Sequence, residues 1–304
     1  MQIIFSTFMR FSGELAAISA ALFWAISSFV FRKLGKSIRP TELNIIKGVG
    51  AILLLLMISL FLKESPTALT PFALMLLLVS GALGIGFGDT MYFEALNSIG
   101  PRRTLLISIL APPMTVVLAI LFLGERINPL GWLGVLITLF GVAWVILGNP
   151  NKEEPQKVVR MGVFFAFLSA LAQAIGSVMS RWALTQTPVS AVQSAILRLV
   201  AGIAFLAVWM LIGRQKPAEW LKETKNNAGM FGILALGILL GAFLPLWLQQ
   251  ISFKNTEVGI AQTLLATSPL FVLLIAALRK EKLAAREIIG MVIAVAGIAV
   301  LFLA

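Results

Sequence analysis

The sequence contains ten apolar runs, each about as long as a membrane is thick. Hydrocarbon offers no water to the backbone, so such runs must form helices or a closed barrel. A helix needs about 20 apolar residues to cross about 30 Å, and the runs lack the short polar–apolar alternation of barrel strands. The sequence therefore predicts an all-α integral membrane protein with ten transmembrane helices. We number these runs segments 1 to 10, over residues 14–31, 43–62, 72–97, 102–123, 130–148, 161–180, 190–212, 229–252, 258–278 and 286–303.

The second half of the chain repeats the first half. Gly81, Pro113 and Glu125 each recur 156 positions later, and segment 1 aligns with segment 6 at an offset of 149. Each half holds five segments, and an odd number of crossings places the two halves upside down to each other. Inverted repeats of this kind are typical of secondary transporters. The predicted organisation is a five-helix repeat over 1–148, an inter-repeat loop over 149–160 and a second five-helix repeat over 161–304.

Composition narrows the chemistry available to the chain. Hydrophobic residues make up 59% and charged residues 12%, against about 25% charged in a soluble domain. The sequence has no cysteine and no histidine, which removes thiol chemistry and the commonest metal ligand. We therefore predict no metal site and no bound cofactor. The net charge of +11 comes from short loops between apolar runs, so it indicates a lipid bilayer and not nucleic acid as the partner.

The basic residues also predict an orientation. Lys and Arg number 17 on the side that holds the loops after segments 1, 3, 5, 7 and 9, against 5 on the side that holds both termini. Cytoplasmic loops carry the excess of Lys and Arg in membrane proteins. This count predicts that both termini lie outside the cytoplasm.

The order of these features resembles that of the EamA-type transporters of the drug/metabolite transporter superfamily. In the first half the resemblance lies in GELAAISAALFWAISSFVFRKL and GDTMYFEALNSIGPRRTLLISILAPPMTVVLAILFLGER, and in the second half in MGVFFAFLSALAQAIGSVMSRWAL and TEVGIAQTLLATSPLFVLLIAALRKEK. It covers nearly the whole chain. The resemblance implies an exporter or exchanger of amino acids and other small metabolites, with a cavity between segments 1–4 and 6–9. It also implies cytoplasmic termini, opposite to the charge count.

Two matching helix faces are candidate walls of such a cavity. Trp24 and Ser28 share one face of segment 1, and Gln173 and Ser177 occupy the corresponding face of segment 6, because steps of three and four keep residues on one side of a helix. The alternative is ordinary helix packing, which small residues favour in membranes. Further polar candidates in the second half are Gln249 and Gln262.

Acidic residues stand near the end of segment 3. Asp89 and Tyr92 share a face there, and Glu94 lies just round the helix. A carboxylate within a span is costly and usually faces a cavity or a charged partner. In a chain without histidine, Asp89 and Glu94 are the predicted groups for substrate binding or for proton coupling. The alternative is a structural ion pair or a carboxylate that reaches the membrane surface.

Two basic residues lie inside other spans. Arg198 is deep in segment 7, and Lys47 lies in segment 2. Such a cation can hold a substrate carboxylate or neutralise Asp89 or Glu94. The alternative is that the side chain extends to the headgroups, which we expect for Lys47 and leave open for Arg198.

Prolines within the spans are candidate hinges. Proline removes a backbone hydrogen bond and kinks a helix, so we expect either hinges or static kinks in segments 4, 8 and 9. We expect Glu125 and Glu281 to cap helix ends at the membrane surface. The candidate hinge residues are Pro112, Pro113, Pro245 and Pro269.

Together these observations predict a transporter and not an enzyme. The predicted protein is a monomer or homodimer in the inner or plasma membrane, and it moves a small-molecule substrate by alternating access around a central cavity. One alternative is an integral-membrane lipid-modifying enzyme, which would normally need clustered carboxylates, histidines or a metal near an interface. The other is a membrane scaffold protein.

Overall fold

The structure of the protein, a computed structural model, describes residues 11–34, 38, 40–65, 67–146, 156–212, 228–280 and 284–303. Helices joined by turns are the only regular secondary structure in these ranges. Nine helices of this described part are long and apolar enough to cross a membrane, and Pro129–Val145 is a shorter apolar helix. The prediction of an all-helical, multi-pass chain is therefore confirmed.

The first half contains segments 1 to 5. Segment 3 has three parts, because a π-helical turn over Ala82–Gly88 separates two α-helices. It begins where the Thr70 hydroxyl accepts a hydrogen bond of 3.2 Å from the Ala73 N–H, which satisfies one of the free donors of a helix start. The observed helices are Ser12–Leu34, Pro40–Phe61, Pro71–Gly81 with Asp89–Ser108, Ala111–Leu123 and Pro129–Ile146.

The second half contains segments 6 to 10. A π-helical turn over Leu239–Phe243 divides segment 8, at the position that the 156-residue offset assigns to the π turn of segment 3. Segment 6 is longer than predicted at both ends. The observed helices are Gln156–Gln186, Ala191–Ile212, Ala228–Ile238 with Leu244–Asn255, Val258–Leu265 with Ser268–Leu278, and Ala285–Leu303.

The boundary between segments 3 and 4 falls close to the predicted one, because the apolar spans run over Pro71–Ile99 and Thr104–Leu123. The α-helix Asp89–Ser108 continues across this boundary, and the break in the helix lies at 109–110, inside segment 4. Segment 9 has a matching break at 266–267.

The prolines of segments 4 and 9 begin helices instead of kinking continuous ones, which corrects the predicted mid-helix kinks. Pro112 lies in the first turn of Ala111–Leu123, and Pro269 in the first turn of Ser268–Leu278. The first turn has backbone donors without helical partners anyway, so proline costs nothing there. Pro245 likewise begins the helix that follows the π turn of segment 8.

The two halves pack against each other through corresponding elements. Segment 6 packs on the second helix of segment 3, and segment 1 packs on the second helix of segment 8. Segment 7 contacts the π turn of segment 3, and segment 2 contacts the π turn of segment 8. Segments 5 and 10 pair with each other, where Gly141 lets the helices approach so closely that a Cβ would lie 2.4 Å from the Ala294 nitrogen.

Large apolar side chains cover the outside of the molecule. Phe61 is 82% exposed and Phe122 is 71% exposed, and both belong to helices that can cross a membrane. In water such a surface would be unfavourable, but lipid is as apolar as these side chains. The polar side chains described next lie on the inside of the helix bundle.

Candidate functional site

Segment 6 carries a row of polar side chains that meets a different neighbour at each step. Ser177 accepts a short hydrogen bond from the side-chain amide of Gln262 in segment 9. The Ser180 hydroxyl donates to Gln250 Oε1 of segment 8 over 2.6 Å, and the Ser194 hydroxyl of segment 7 donates to the same oxygen over 2.8 Å. Every buried polar group in this row needs such a partner, so segment 6 is fixed between segments 7, 8 and 9.

At one end of this row lies a fully engaged ion pair, which we call the interlock. Its members are Arg181, Glu125, the Phe253 carbonyl and the Val258 N–H. Arg181 Nε lies 2.8 Å from Glu125 Oε1, and Arg181 Nη1 donates to the Phe253 carbonyl over 2.6 Å. Glu125 Oε2 accepts the Val258 N–H over 3.1 Å. The interlock joins the ends of segments 4, 6, 8 and 9.

The interlock changes the role predicted for Glu125. This residue was expected to cap its own helix at the membrane surface, but it pairs with Arg181 and accepts from the first residue of segment 9. Burial raises the pKa of the Glu125 carboxyl, and Arg181 opposes this rise because a nearby cation favours the carboxylate. Its predicted counterpart Glu281 lies outside the described residues.

At the other end of the row, a group of polar and charged side chains lies between segments 2, 3 and 7. We call it the central cluster, and it consists of Asn44, Lys47, Asp89 and Arg198. Lys47 Nζ lies 4.0 Å from Asp89 Oδ2, and Asp89 also interacts electrostatically with Arg198. Asn44, one turn before Lys47 on the same helix, is buried. Lys47 Nζ is 5.6 Å from the centre of the Phe31 ring. Lys47 therefore points into the protein, and the expectation that it reaches the headgroups is wrong.

Arg198 is the most deeply buried charge of the central cluster, with only 3% of its surface exposed. Among the described residues, its Nε and Nη1 atoms have no hydrogen-bond partner. Two glycines of segment 3 make room for it. A Cβ on Gly81 would lie 2.1 Å from the Arg198 carbonyl oxygen, and one on Gly84 would lie 3.3 Å from Nη2 and 4.0 Å from Gln173 Oε1. Glycine is needed at position 81 because segments 3 and 7 touch backbone to backbone there.

The structure places the remaining predicted residues in several environments. Trp24 packs against the main apolar core, and the Ser28 hydroxyl donates to the Ala25 carbonyl of its own helix over 2.7 Å. The Tyr92 ring lies 6.0 Å from that of Phe93. Glu94 is exposed. Gln249 is 6% exposed and Gln262 is 7% exposed.

The central cluster therefore unites Asp89 and Arg198. Gln173 faces the same glycine, Gly84, as the Arg198 guanidinium, and Gln262 meets Ser177 one turn further along segment 6. Glu94 does not join either group. Sequence reasoning did not identify Asn44 or Gln250. For Asn44 a signal existed, because it stands one turn before Lys47 on the same helix.

A cavity of about 180 Å³ lies away from the central cluster. It opens at the ends of segments 1, 5, 9 and 10, where Glu14, Arg126 and Glu257 are part of its lining. Its neighbour Thr256 donates to Glu14 Oε1 over 2.8 Å. This surface cavity therefore borders the interlock end of the molecule and does not reach Arg198.

Comparison with known proteins gives three results. A model of the EamA-like transporter family matches residues 11–147 and 160–303. A protein of known crystal structure superposes with a TM-score of 0.79 at 20% sequence identity, over 96% of this chain and 96% of that chain; this likeness shows the fold alone. A search among curated proteins returns no match.

Proposed function

Since this chain belongs to the EamA-like transporter family, a family of transporters and not of enzymes, we propose that it is a secondary transporter. It exports or exchanges a small organic metabolite such as an amino acid. The protein crosses a cell membrane, the inner or plasma membrane, several times. The substrate binds at the central cluster, and alternating access opens this cluster to one side of the membrane and then to the other.

The central cluster is the observation that carries this proposal. Arg198, Lys47 and Asp89 all belong to helices that can cross a membrane. Charges inside a membrane are costly, and they are typical of substrate and ion pathways. A purely structural role would favour complete pairing, whereas two nitrogens of Arg198 have no partner among the described residues.

Alternating access is supported by the exchange of contacts between the two halves. Segment 1 lies against segment 8 as segment 6 lies against segment 3. We propose ten spans in two inverted five-helix repeats, so that each half can adopt the arrangement of the other and the cluster is exposed on the opposite side. The breaks at Pro112 and Pro269 and the π turn before Pro245 are the hinges of this change.

The interlock suggests which side is closed in this structure. It joins the ends of segments 4, 6, 8 and 9 on the side of the chain termini. The loops on the opposite side carry most of the Lys and Arg, which favours a cytoplasmic position for them. We propose that both termini lie outside the cytoplasm, although family members are usually drawn with cytoplasmic termini, and that the monomer or homodimer is closed to the outside in this state. A C-terminal reporter fusion measures this orientation directly.

Proton coupling is part of the proposal, and it needs no cofactor. Asp89 lies beside Lys47 in the central cluster, so gain or loss of one proton changes the charge that a substrate meets. Asp89→Asn is expected to flatten the dependence of transport on pH. An unchanged pH profile in this variant excludes Asp89 as the coupling group.

The decisive experiment uses purified protein in lipid vesicles without ATP. We expect a solute from a panel of amino acids and other small metabolites to exchange across the vesicle membrane, and to raise the melting temperature of the protein by mass action. Empty vesicles and vesicles with a heat-denatured preparation are the controls. If no solute of the panel moves or stabilises the protein, the transport proposal fails.

A further inference from the structure

The charges of the central cluster do not balance. The described residues of the cluster include two cations, Lys47 and Arg198, and one carboxylate, Asp89. Among the described residues, Lys47 is the cation paired with Asp89, since its Nζ lies 4.0 Å from Oδ2, whereas Arg198 forms no ion pair. One positive charge therefore remains without a counter-charge in the interior of the membrane-spanning helices.

Arg198 carries this remaining charge. A guanidinium forms a two-bond pair with a carboxylate through one of two edges. Nε belongs to one edge and Nη1 to the other, and both nitrogens lack a partner among the described residues. Each edge thus offers a free donor. An unpartnered buried cation is strongly unfavourable, so the site is completed by an anion that binds there.

We propose that the substrate of this transporter is an organic carboxylate, and that Arg198 binds its carboxylate group. This inference rests on the proposed transport function. One negative charge matches the one excess positive charge, whereas a phosphate monoester carries about two. An ammonium group on the substrate would have to displace Lys47 from Asp89. A carboxylate without an amino group is therefore preferred over the amino acid of the same carbon skeleton.

The first test compares four classes of solute on matched carbon skeletons. These are monocarboxylates, the corresponding amino acids, the corresponding amines and the corresponding phosphate monoesters. Each is tested for stabilisation of the purified protein and for exchange in vesicles. We expect monocarboxylates to bind with the highest affinity, amino acids to bind less tightly, and amines to have no effect.

The second test assigns the carboxylate to its residue. Arg198→Gln is expected to weaken monocarboxylate binding about thirtyfold, the worth of a charge-assisted pair. Arg160→Gln is the matched control, because Arg160 is exposed at the start of segment 6, and it is expected to bind like the wild type. Asp89→Asn adds a second excess positive charge and is expected to shift the preference toward dicarboxylates.

A third variant tests the site without changing any charge. Gly84→Ala places a Cβ 3.3 Å from Arg198 Nη2 and is expected to weaken carboxylate binding severalfold. Gly232→Ala is its control, because nothing lies within 4 Å of a Cβ there. If Arg198→Gln does not fold, Arg198→Lys and Gly84→Ala test in its place whether Arg198 binds the substrate carboxylate.

The outcomes separate the two proposals. Amines, uncharged solutes or phosphate esters that exchange with full activity in Arg198→Gln would overturn the carboxylate inference while transport stands. Equal affinity for a monocarboxylate in Arg198→Gln, Gly84→Ala and the wild type would also overturn it. If no solute of any class moves or stabilises the protein, the transport function itself fails.

Discussion

Arg181 and Arg198 lie on consecutive helices and have the same side chain, but their surroundings are opposite. In the interlock, Arg181 donates from Nε to Glu125 and from Nη1 to the Phe253 carbonyl. In the central cluster, the same two nitrogens of Arg198 have no partner among the described residues. The difference separates a charge that holds helices together from a charge that is kept available for a ligand.

The largest effect is expected from breaking the interlock. Arg181→Met leaves the Glu125 carboxyl buried without its cation, which typically costs about 3 kcal/mol. We expect the free energy of unfolding, measured by reversible denaturation in detergent, to fall by this amount. Adding Glu125→Gln is expected to restore part of the loss, because the double variant buries no unpaired charge. A loss below about 0.5 kcal/mol for Arg181→Met would show that the ion pair contributes no more than a surface pair.

A smaller loss is expected where segment 3 supports Arg198. Gly81→Ala places a Cβ 2.1 Å from the Arg198 carbonyl oxygen, and backbone must move to relieve the contact. Overpacking of this kind lowers the free energy of unfolding by about 2 kcal/mol. We also expect the transport rate of the folded variant to fall, because Arg198 is displaced. Gly232→Ala, with open space at its Cβ, is expected to be neutral or slightly stabilising. If Gly81→Ala and Gly232→Ala had the same stability and the same transport rate, the close approach of Gly81 to the Arg198 backbone would be contradicted.

The next effect concerns pH at the interlock. Burial raises the pKa of Glu125 above its ordinary value of 4.5, so the folded protein holds this proton more tightly than the unfolded chain. The contribution of Glu125 to the free energy of unfolding is therefore complete below about pH 4.5 and declines as the pH rises through the raised pKa of the folded protein. The melting temperature is measured between acidic and neutral pH. We expect this decline to be absent in Glu125→Gln and to continue to higher pH in Arg181→Met. An identical pH profile in all three proteins would refute the assignment.

The smallest effect is expected at Glu94. This side chain is exposed and belongs neither to the interlock nor to the central cluster. Glu94→Gln is expected to change stability by less than about 0.5 kcal/mol, as exposed substitutions usually do, and to leave transport unchanged. A large loss of transport in this variant would extend the functional site beyond the central cluster.

The sequence predicted the helical segments well because hydrophobic length reports membrane crossing directly. It placed the boundary between segments 3 and 4 correctly, but it did not show that the break in the helix lies at 109–110, inside segment 4. It did not identify the π turns at Ala82–Gly88 and Leu239–Phe243. The first turn contains three glycines, but small residues also serve ordinary close packing of helices in membranes.

The candidate site was predicted as separate residues and not as an arrangement. Asp89 and Arg198 were identified because charges inside a span are rare. Lys47 was assigned to the membrane surface, since the sequence does not show how segment 2 is rotated against segment 3. The contact of Glu125 with Arg181 was missed for a similar reason: it joins helices whose pairing depends on the packing of both halves.

The two π turns also bear on how the two halves of the chain are related. A π turn is a rare feature that inserts an extra residue into an α-helix, and here it occurs at corresponding places of both halves. A single insertion in an ancestral half-length chain, followed by gene duplication, accounts for both turns, whereas independent origins require two events at one position. The two π turns are therefore best explained as one shared feature of the repeat and not as separate adaptations of segments 3 and 8.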